Sequence, residues 1–294
     1  MLSPVRLGNY FLKGVYDVLV TLFFFSKSDI KSTLIPITSF AAACAPLQSI
    51  AQLPATVVWI WIHLLQFNLA NQLISVEEDR RNKPDRPLPS GRVSLPTVLA
   101  FRWILVPACF GFSALFSFQV VCSSVVFVAL TVLYNECGGH AYWATRDFLN
   151  GLGFSAFEWG ACLIAGPDQT KLTDVALRAV YIGFPLFATT IHCQDFKDIQ
   201  GDTLLNRQTL PIFLPAASRY IILTALTMWS LTLAWLWELP VSISAAFIGL
   251  GLYVGARFLM QKTKHEDQVS YYWYNVWLSA AHALPAIKLL RSIL

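Results

Sequence analysis

Residues 71–92 read NQLISVEEDRRNKPDRPLPSGR, the densest cluster of charge in the chain, placed where a strongly apolar run ends. If the helix of that run continues, Asn71, Ser75, Glu78, Asp79 and Asn82 stand at i, i+4, i+7, i+8 and i+11 and share one face. A helix with apolar surroundings is therefore expected to end in a polar ladder. Such a ladder needs a partner elsewhere in the sequence.

Around this stretch the chain is 56% hydrophobic and 13% charged over 294 residues, with a mean hydropathy of +0.55. That balance excludes an ordinary soluble domain and fits an integral membrane protein; the length suits one helical bundle without a separate soluble domain. A net charge of +4 and a pI near 8.7 reflect cytoplasmic loops better than a nucleic-acid partner. Cys44, Cys109, Cys122, Cys137, Cys162 and Cys193 are scattered singly, with no CxxC pair, and read as small core residues. The N-terminus lacks a charged start followed by an apolar run and a small-residue cleavage site, so insertion is expected to rely on the first membrane helix.

Residues 9–24 carry Lys13 and Asp17 and read as an interfacial helix within an N-terminal segment, 1–29. Residues 30–291 read as an all-α integral membrane bundle of nine transmembrane helices, so that 1–294 is a single membrane domain. The spans are expected at about 30–49, 52–75, 94–116, 119–136, 142–165, 174–195, 216–237, 240–261 and 269–291. In such a bundle Arg6, Lys13, Lys27, Arg80, Arg81, Lys83, Arg86, Arg92, Arg146, Lys197, Arg207, Lys262 and Lys264 fall on one side. The opposite side holds little beyond Lys171 and Arg178, with Lys288 and Arg291 near the end. The N-terminus is therefore expected in the cytoplasm and the C-terminus across the membrane.

The partner of the first ladder comes at the end of the sixth span, which runs into HCQDFKDIQGD. Asp195, Asp198 and Asp202 stand there at i, i+3 and i+7 of a continuing helix and share a face. Spans two and six are an even step apart, so both end on the same side of the membrane. Two acidic clusters are thus expected to face one another at a cytoplasmic-side cavity.

Brought together without compensation, Glu77, Glu78, Asp79, Asp195, Asp198 and Asp202 repel one another, and burial makes that costlier. A cation must offset them. Carboxylate and amide oxygens are hard ligands that suit Mg²⁺, which completes its shell with water and phosphate oxygens. Lys83, Arg86, Arg92, Arg146, Lys197 and Arg207 lie in the same mouth and suit the outer oxygens of a diphosphate. The other end of that ligand has to match a membrane cavity of Phe, Trp, Leu and Ile, which a prenyl diphosphate does.

At these residues the chain resembles the UbiA superfamily of intramembrane prenyltransferases. The resemblance implies a nine-helix fold whose helices two and six end in Asp-rich motifs that bind Mg²⁺ and a prenyl diphosphate. The family's first motif, NDxxDxxxD followed by an Asn and an RPLPSGR-like run, corresponds to Asn71, Ser75, Asp79, Asn82 and Arg86 to Arg92. Its second, DxxxD, corresponds to Asp198 and Asp202, extended by Asp195. Gln72 and Ser75 stand where the transferases carry aspartates, and EEDRRNKPDRPLPSGR is more similar to a fungal branch that contains membrane terpene cyclases. That branch implies farnesyl diphosphate as substrate and a cyclic hydrocarbon as product.

Asn71, Asp79, Asp198 and Asp202 are the expected catalytic groups, and with Glu78 and Asp195 the expected metal-binding set; the bland alternative is a solvated helix end. Asn71 lies ~12 Å deeper than Asp79 at about 1.5 Å per residue, where an interhelical hydrogen bond competes with ligation. Arg146 and Asn150, four apart at the start of span five, resemble a basic and Asn pair in the superfamily. His63, Phe67, Tyr134, Phe154, Glu158, Trp159 and His192 are further cavity candidates. A buried polar group inside a membrane is a functional candidate by default, although hydrogen bonding between helices is the commoner role of the two histidines. Glu158 is expected to be protonated, paired, or a late proton acceptor. Ring faces at Phe67, Tyr134, Phe154 and Trp159 suit a carbocation, against a base rate of packing.

The expected function is Mg²⁺-dependent ionisation of a prenyl diphosphate and intramolecular cyclisation, in the endoplasmic reticulum or another intracellular membrane. The alternatives are prenyl transfer to an aromatic or other acceptor and, more remotely, a transporter that uses the acids as a cation site.

Overall fold

Long apolar runs in a bilayer leave the backbone no water to bond, so each run closes its own hydrogen bonds as a helix. The computed structural model describes residues 4–46 and 50–293; the side chains of residues 4–12, Asn82 and 292–293 lie outside the description. The expectation for Asn82 therefore lies outside it too. The helices are α1 (Pro4–Ser26), α2 (Ile35–Cys44, entered through a π turn, Ile30–Leu34), α3 (Gln52–Ile74), α4 (Val76–Asn82) and α5 (Leu95–Ala114). They continue as α6 (Phe118–Asn135), α7 (Trp143–Ala165), α8 (Asp174–Thr190), α9 (Ile199–Leu204) and α10 (Leu210–Phe213). The last four are α11 (Ser218–Leu236), α12 (Val241–Met260), α13 (Lys264–Ala283) and α14 (Pro285–Ile293). No strand occurs among the described residues; a single bridge, Tyr142 to Gln208, ties the α9–α10 connection to the start of α7.

Among the described residues seven helices are long and apolar enough to cross a membrane: α3, α5, α6, α7, α8 with the turn after it, α11 and α12. The protein is a multi-pass membrane protein. The first expected span, 30–49, is instead a shorter apolar helix, Ile30–Cys44. The ninth, 269–291, is divided between α13 and α14 at Pro285, and α13 carries Lys264, Glu266, Asp267 and a run of polar and aromatic residues that lower its hydropathy. The N-terminal segment is a longer helix than expected, at 23 residues. Its end is tied to α3 by Asn68 and Gln72, whose amide nitrogens donate to Phe25 O at 3.2 and 3.3 Å.

Small residues let the central helices approach closely. At Gly160 on α7 a Cβ would stand 2.3 Å from the Trp59 indole of α3, and at Gly183 on α8 one would stand 2.3 Å from Glu158 Oε2. Trp59 is fully buried and its Nε1 donates to Ser113 Oγ at 2.8 Å, joining α3 to α5. Near one end of the bundle Arg219 of α11 donates from both terminal nitrogens to Asp267 of α13, at 2.8 and 2.9 Å. These contacts hold α3, α7, α8 and α13 in the positions from which they contribute to one cavity.

Candidate active site

Neither acidic helix end continues straight. α3 stops at Ile74, Ser75 takes φ −114° and ψ 19°, and α4 resumes at Val76. The expected unbroken ladder is thus broken at Ser75, whose hydroxyl donates to Asn71 O at 2.9 Å and to Asp79 Oδ2 at 3.3 Å. Glu77, Glu78 and Asp79 then occupy the first turn of α4, where carboxylates favour the helix dipole. Asp79 is 1% exposed and held by Arg86 Nη1, at 2.9 Å to Oδ1 and 2.7 Å to Oδ2.

The second acidic run is also broken. α8 passes through a 3-10 turn, Ile191–Gln194, then turns at Asp195 and Asp198 before α9. The turns divide the three aspartates: Asp198 and Asp202 line the cavity, whereas Asp195 lies behind it, fully buried. Arg146 Nη2 donates to Asp195 Oδ1 at 2.8 Å and Arg146 Nη1 to the Tyr134 hydroxyl at 2.7 Å. Lys197 pairs with Asp198. Arg207 Nη1 donates to Glu78 Oε2 and to Asp202 Oδ1, each at 3.1 Å, so the two acidic ends meet through one guanidinium.

Burial raises the Glu78 carboxyl, with Arg207 and Lys83 opposing. Burial likewise pushes Asp195 up to about 6 against the pull of Arg146. At Asp198 burial also acts upward, but Lys197 and Lys83 outweigh it and bring the group down to about 2. Burial and the neighbouring Arg86 lower Lys83.

The mouth between these ends is a cavity of about 830 Å³. Phe67, Asn71, Glu78, Asp79, Lys83, Arg86, Tyr134, Arg146, Asn150, Lys197, Asp198, Asp202 and Arg207 all line it. It adjoins an apolar pocket of about 90 Å³, and Asp29, Phe67, Tyr134, Asn150, Gln194 and Tyr271 line both. Phe154 lines the apolar pocket, together with Leu64, Phe127, Leu130 and Phe157.

Arg92, expected to bind the diphosphate, and several cavity candidates stand elsewhere. Arg92 is exposed, with its guanidinium over the Phe24 ring at 5.2 Å, because the turns after Arg86 carry it away from the mouth. His63 is buried and satisfied at both ring nitrogens, by Trp59 O at 2.8 Å and Ser124 Oγ at 2.6 Å. His192 is buried behind the wall, with Nδ1 3.8 Å from Asp147 Oδ2. Glu158 faces α13 instead, with Oε1 3.1 Å from His282 Nε2. Trp159 packs on the rim of the core, since Phe154 and Phe157 already define the cavity face of α7. Glu77, read as solvated, is exposed and pairs with Arg80 at 2.5 Å.

Sequence reasoning missed Tyr271, Tyr274 and Asn275 of α13, all on the apolar pocket. Their signal was present as a polar and aromatic stripe at three- and four-residue spacing within an expected span.

The donor set fits Mg²⁺ in chemistry: hard carboxylate oxygens line the mouth, and among the described residues Asp202 Oδ2 is buried without a hydrogen-bond partner. Among the described residues no three acidic, His or Cys side chains converge on one point, because Arg86, Arg146, Lys197 and Arg207 each engage a carboxylate.

A membrane bundle in which two broken helix ends bring acids and bases to the mouth of an apolar pocket narrows the class of protein, and the sequence agrees: residues 33–278 match the UbiA prenyltransferase family, to which the chain belongs. It is 32% identical over 294 residues to fumagillin β-trans-bergamotene synthase of Aspergillus fumigatus, covering 99% of this chain and 98% of that one. It is 29% identical over 273 residues to a polyprenyl transferase of Hericium erinaceus, covering 87% of this chain and 90% of that one. A UbiA homologue from Archaeoglobus fulgidus, solved with GPP and Mg²⁺, superposes with a TM-score of 0.67 at 13% identity, covering 90% of this chain and 99% of that one. The protein is therefore a UbiA-family enzyme, similar to both terpene synthases and prenyltransferases.

Proposed function

We propose that the protein is a membrane terpene cyclase, which ionises farnesyl diphosphate and closes the released chain on itself to a terpene hydrocarbon. The observation that carries this reading is the junction of a charged mouth with an apolar pocket through Phe67, Tyr134, Asn150 and Tyr271. The full-length likeness to a bergamotene synthase favours cyclisation over transfer. The domain is read as one membrane unit over 1–294, of nine helices with α2 and α13 included, with its N-terminus in the cytoplasm of an endoplasmic-reticulum or other intracellular membrane.

Lys83, Arg86, Arg146, Lys197 and Arg207 bind the diphosphate and place its ester oxygen at the junction. Asn71, Glu78, Asp79, Asp198 and Asp202 would hold Mg²⁺, while Asp195 steadies Arg146 from behind the wall. Bound there, Mg²⁺ supplies positive charge that stabilises the leaving diphosphate. Arg residues do the same from fixed positions as the carbon–oxygen bond breaks. Phe67, Phe127, Tyr134, Phe154 and Phe157 surround the allylic cation, attract it through their ring faces and keep water from quenching it. Attack of its own double bonds and loss of a proton to the released diphosphate then complete the reaction.

Purified protein given farnesyl diphosphate and Mg²⁺ without an acceptor is expected to release diphosphate and hydrocarbon. A second reading, prenyl transfer, draws on the likeness to the Hericium transferase. Turnover that begins only when a phenolic or quinone precursor is added would replace the first reading with the second.

A further inference from the structure

On α13, Gln268, Tyr271, Asn275 and Leu278 form one face: Gln268 lines the mouth, Tyr271 both cavities, and Asn275 and Leu278 the apolar pocket. Asn275 is the one amide of this stripe that reaches the apolar end. It is 4% exposed, its Nδ2 donates to Tyr271 O at 2.9 Å, and its Oδ1 is buried with no hydrogen-bond partner among the described residues. The first bond sets which way the amide lies, because a backbone carbonyl accepts only from the NH2 end. The oxygen is therefore the free end.

An unpaired buried carbonyl oxygen costs stability, and leucine would fill a similar volume without that cost. Among pocket-lining rings the oxygen has one complement that requires no hydrogen-bond donor, which is positive charge. Ring faces attract a cation diffusely, whereas a carbonyl oxygen marks a point. Asn275 lines the apolar pocket and not the mouth, where the basic side chains stand. The nearby Tyr274 hydroxyl, by contrast, has a partner on α8, 3.0 Å away at Thr190 Oγ1.

We propose that Asn275 Oδ1 determines where positive charge comes to rest in the apolar pocket, and so which product the cation yields. The inference rests on the reading of the protein as an ionising cyclase.

The test compares hydrocarbon ratios by gas chromatography and mass spectrometry for wild type, Asn275→Leu and Asn275→Ser, each given farnesyl diphosphate and Mg²⁺ in detergent. Leucine extends the apolar wall and serine shortens the side chain, yet both remove the amide carbonyl oxygen. Serine also keeps a donor to the Tyr271 carbonyl one turn back, so it decides alone if the leucine variant does not fold. The expected result is a fall of at least about threefold in the share of the main product, in favour of the same acyclic or early-quenched compounds in both variants. Wild-type ratios in the folded variants, or shifts toward different products in the two, overturn the inference. In that case wild-type hydrocarbon formation leaves the cyclase reading standing. A wild type that makes no hydrocarbon without an acceptor removes the reading itself, and the inference with it.

Discussion

Glu78 and Asp202 share one nitrogen: Arg207 Nη1 lies 3.1 Å from a carboxylate oxygen of each, joining α4 to α9. Both carboxylates are buried, at 5% and 1% exposure. Removing one partner of a buried ion pair costs about 3–5 kcal/mol, chiefly through the charge left behind. Arg207→Ala is expected to lower the melting midpoint in detergent and to raise KM for the prenyl diphosphate. Adding Glu78→Gln should recover part of the melting loss, and a single variant that melts like wild type contradicts the linkage.

Asp79 and Asp198 sit on opposite acidic ends of the mouth. Asp79→Ala and Asp198→Ala are each expected to cut diphosphate release by about 100-fold or more, the scale of losing a group that stabilises developing charge. Gel filtration in detergent should still show folded protein. Near-normal release from both variants removes the case for a metal site at this mouth.

Chelation provides an independent check. EDTA is expected to stop diphosphate release, and Mg²⁺ to restore it better than Ca²⁺, since a diphosphate site suits the smaller cation with its near-octahedral shell. Equal recovery with both ions, or release that survives EDTA, counts against Mg²⁺ as the cofactor.

Gly160 has no room for a side chain, because a Cβ would meet the Trp59 indole at 2.3 Å. Gly160→Ala is expected to destabilise by about 1–3 kcal/mol, the usual cost of overpacking. The strain falls between α3 and α7, which carry Asn71 and Arg146, so turnover should drop with the melting midpoint. Combining it with Trp59→Phe relieves the clash, and full-strength melting of the single variant would show that the two helices part easily.

Glu158 faces His282 rather than the cavity. Glu158→Gln is expected to leave the product ratio unchanged while lowering the melting midpoint. A new product from this variant would return Glu158 to the reaction path.

The apolar runs that become α3, α5 to α8, α11 and α12 were legible because hydrophobic length alone marks a crossing helix. α13 was harder, since Tyr271, Tyr274 and Asn275 are there to face a cavity, and that duty lowers its hydropathy. The pairing of the two acidic ends was legible from the even step between spans. The breaks at Ser75 and after Gln194 were not, because neither falls at a Pro or Gly that would announce it. Those same breaks explain why Asp195 turns behind the wall while Asp198 and Asp202 stay on it. On α7, spacing alone cannot say which stripe meets the cavity, so Trp159 and Glu158 entered the candidate list and Phe157 did not. Arg92 illustrates another limit: in a tight turn, closeness in sequence to Arg86 says nothing of direction.

At the mouth, Asp79, Asp198, Glu78 and Asp202 are each matched to a side-chain cation, by Arg86, by Lys197 and, for the last two, by Arg207. On the proposed reading, the vestibule works as an ion exchanger. A lone divalent cation would have to break these pairs unaided, whereas a metal arriving with a diphosphate would give each side of every pair a new partner. The acids would turn to the metal as the arginines and lysines turn to the phosphates, so that the ion pairs of the empty mouth hold its side chains ready for both halves of the ligand.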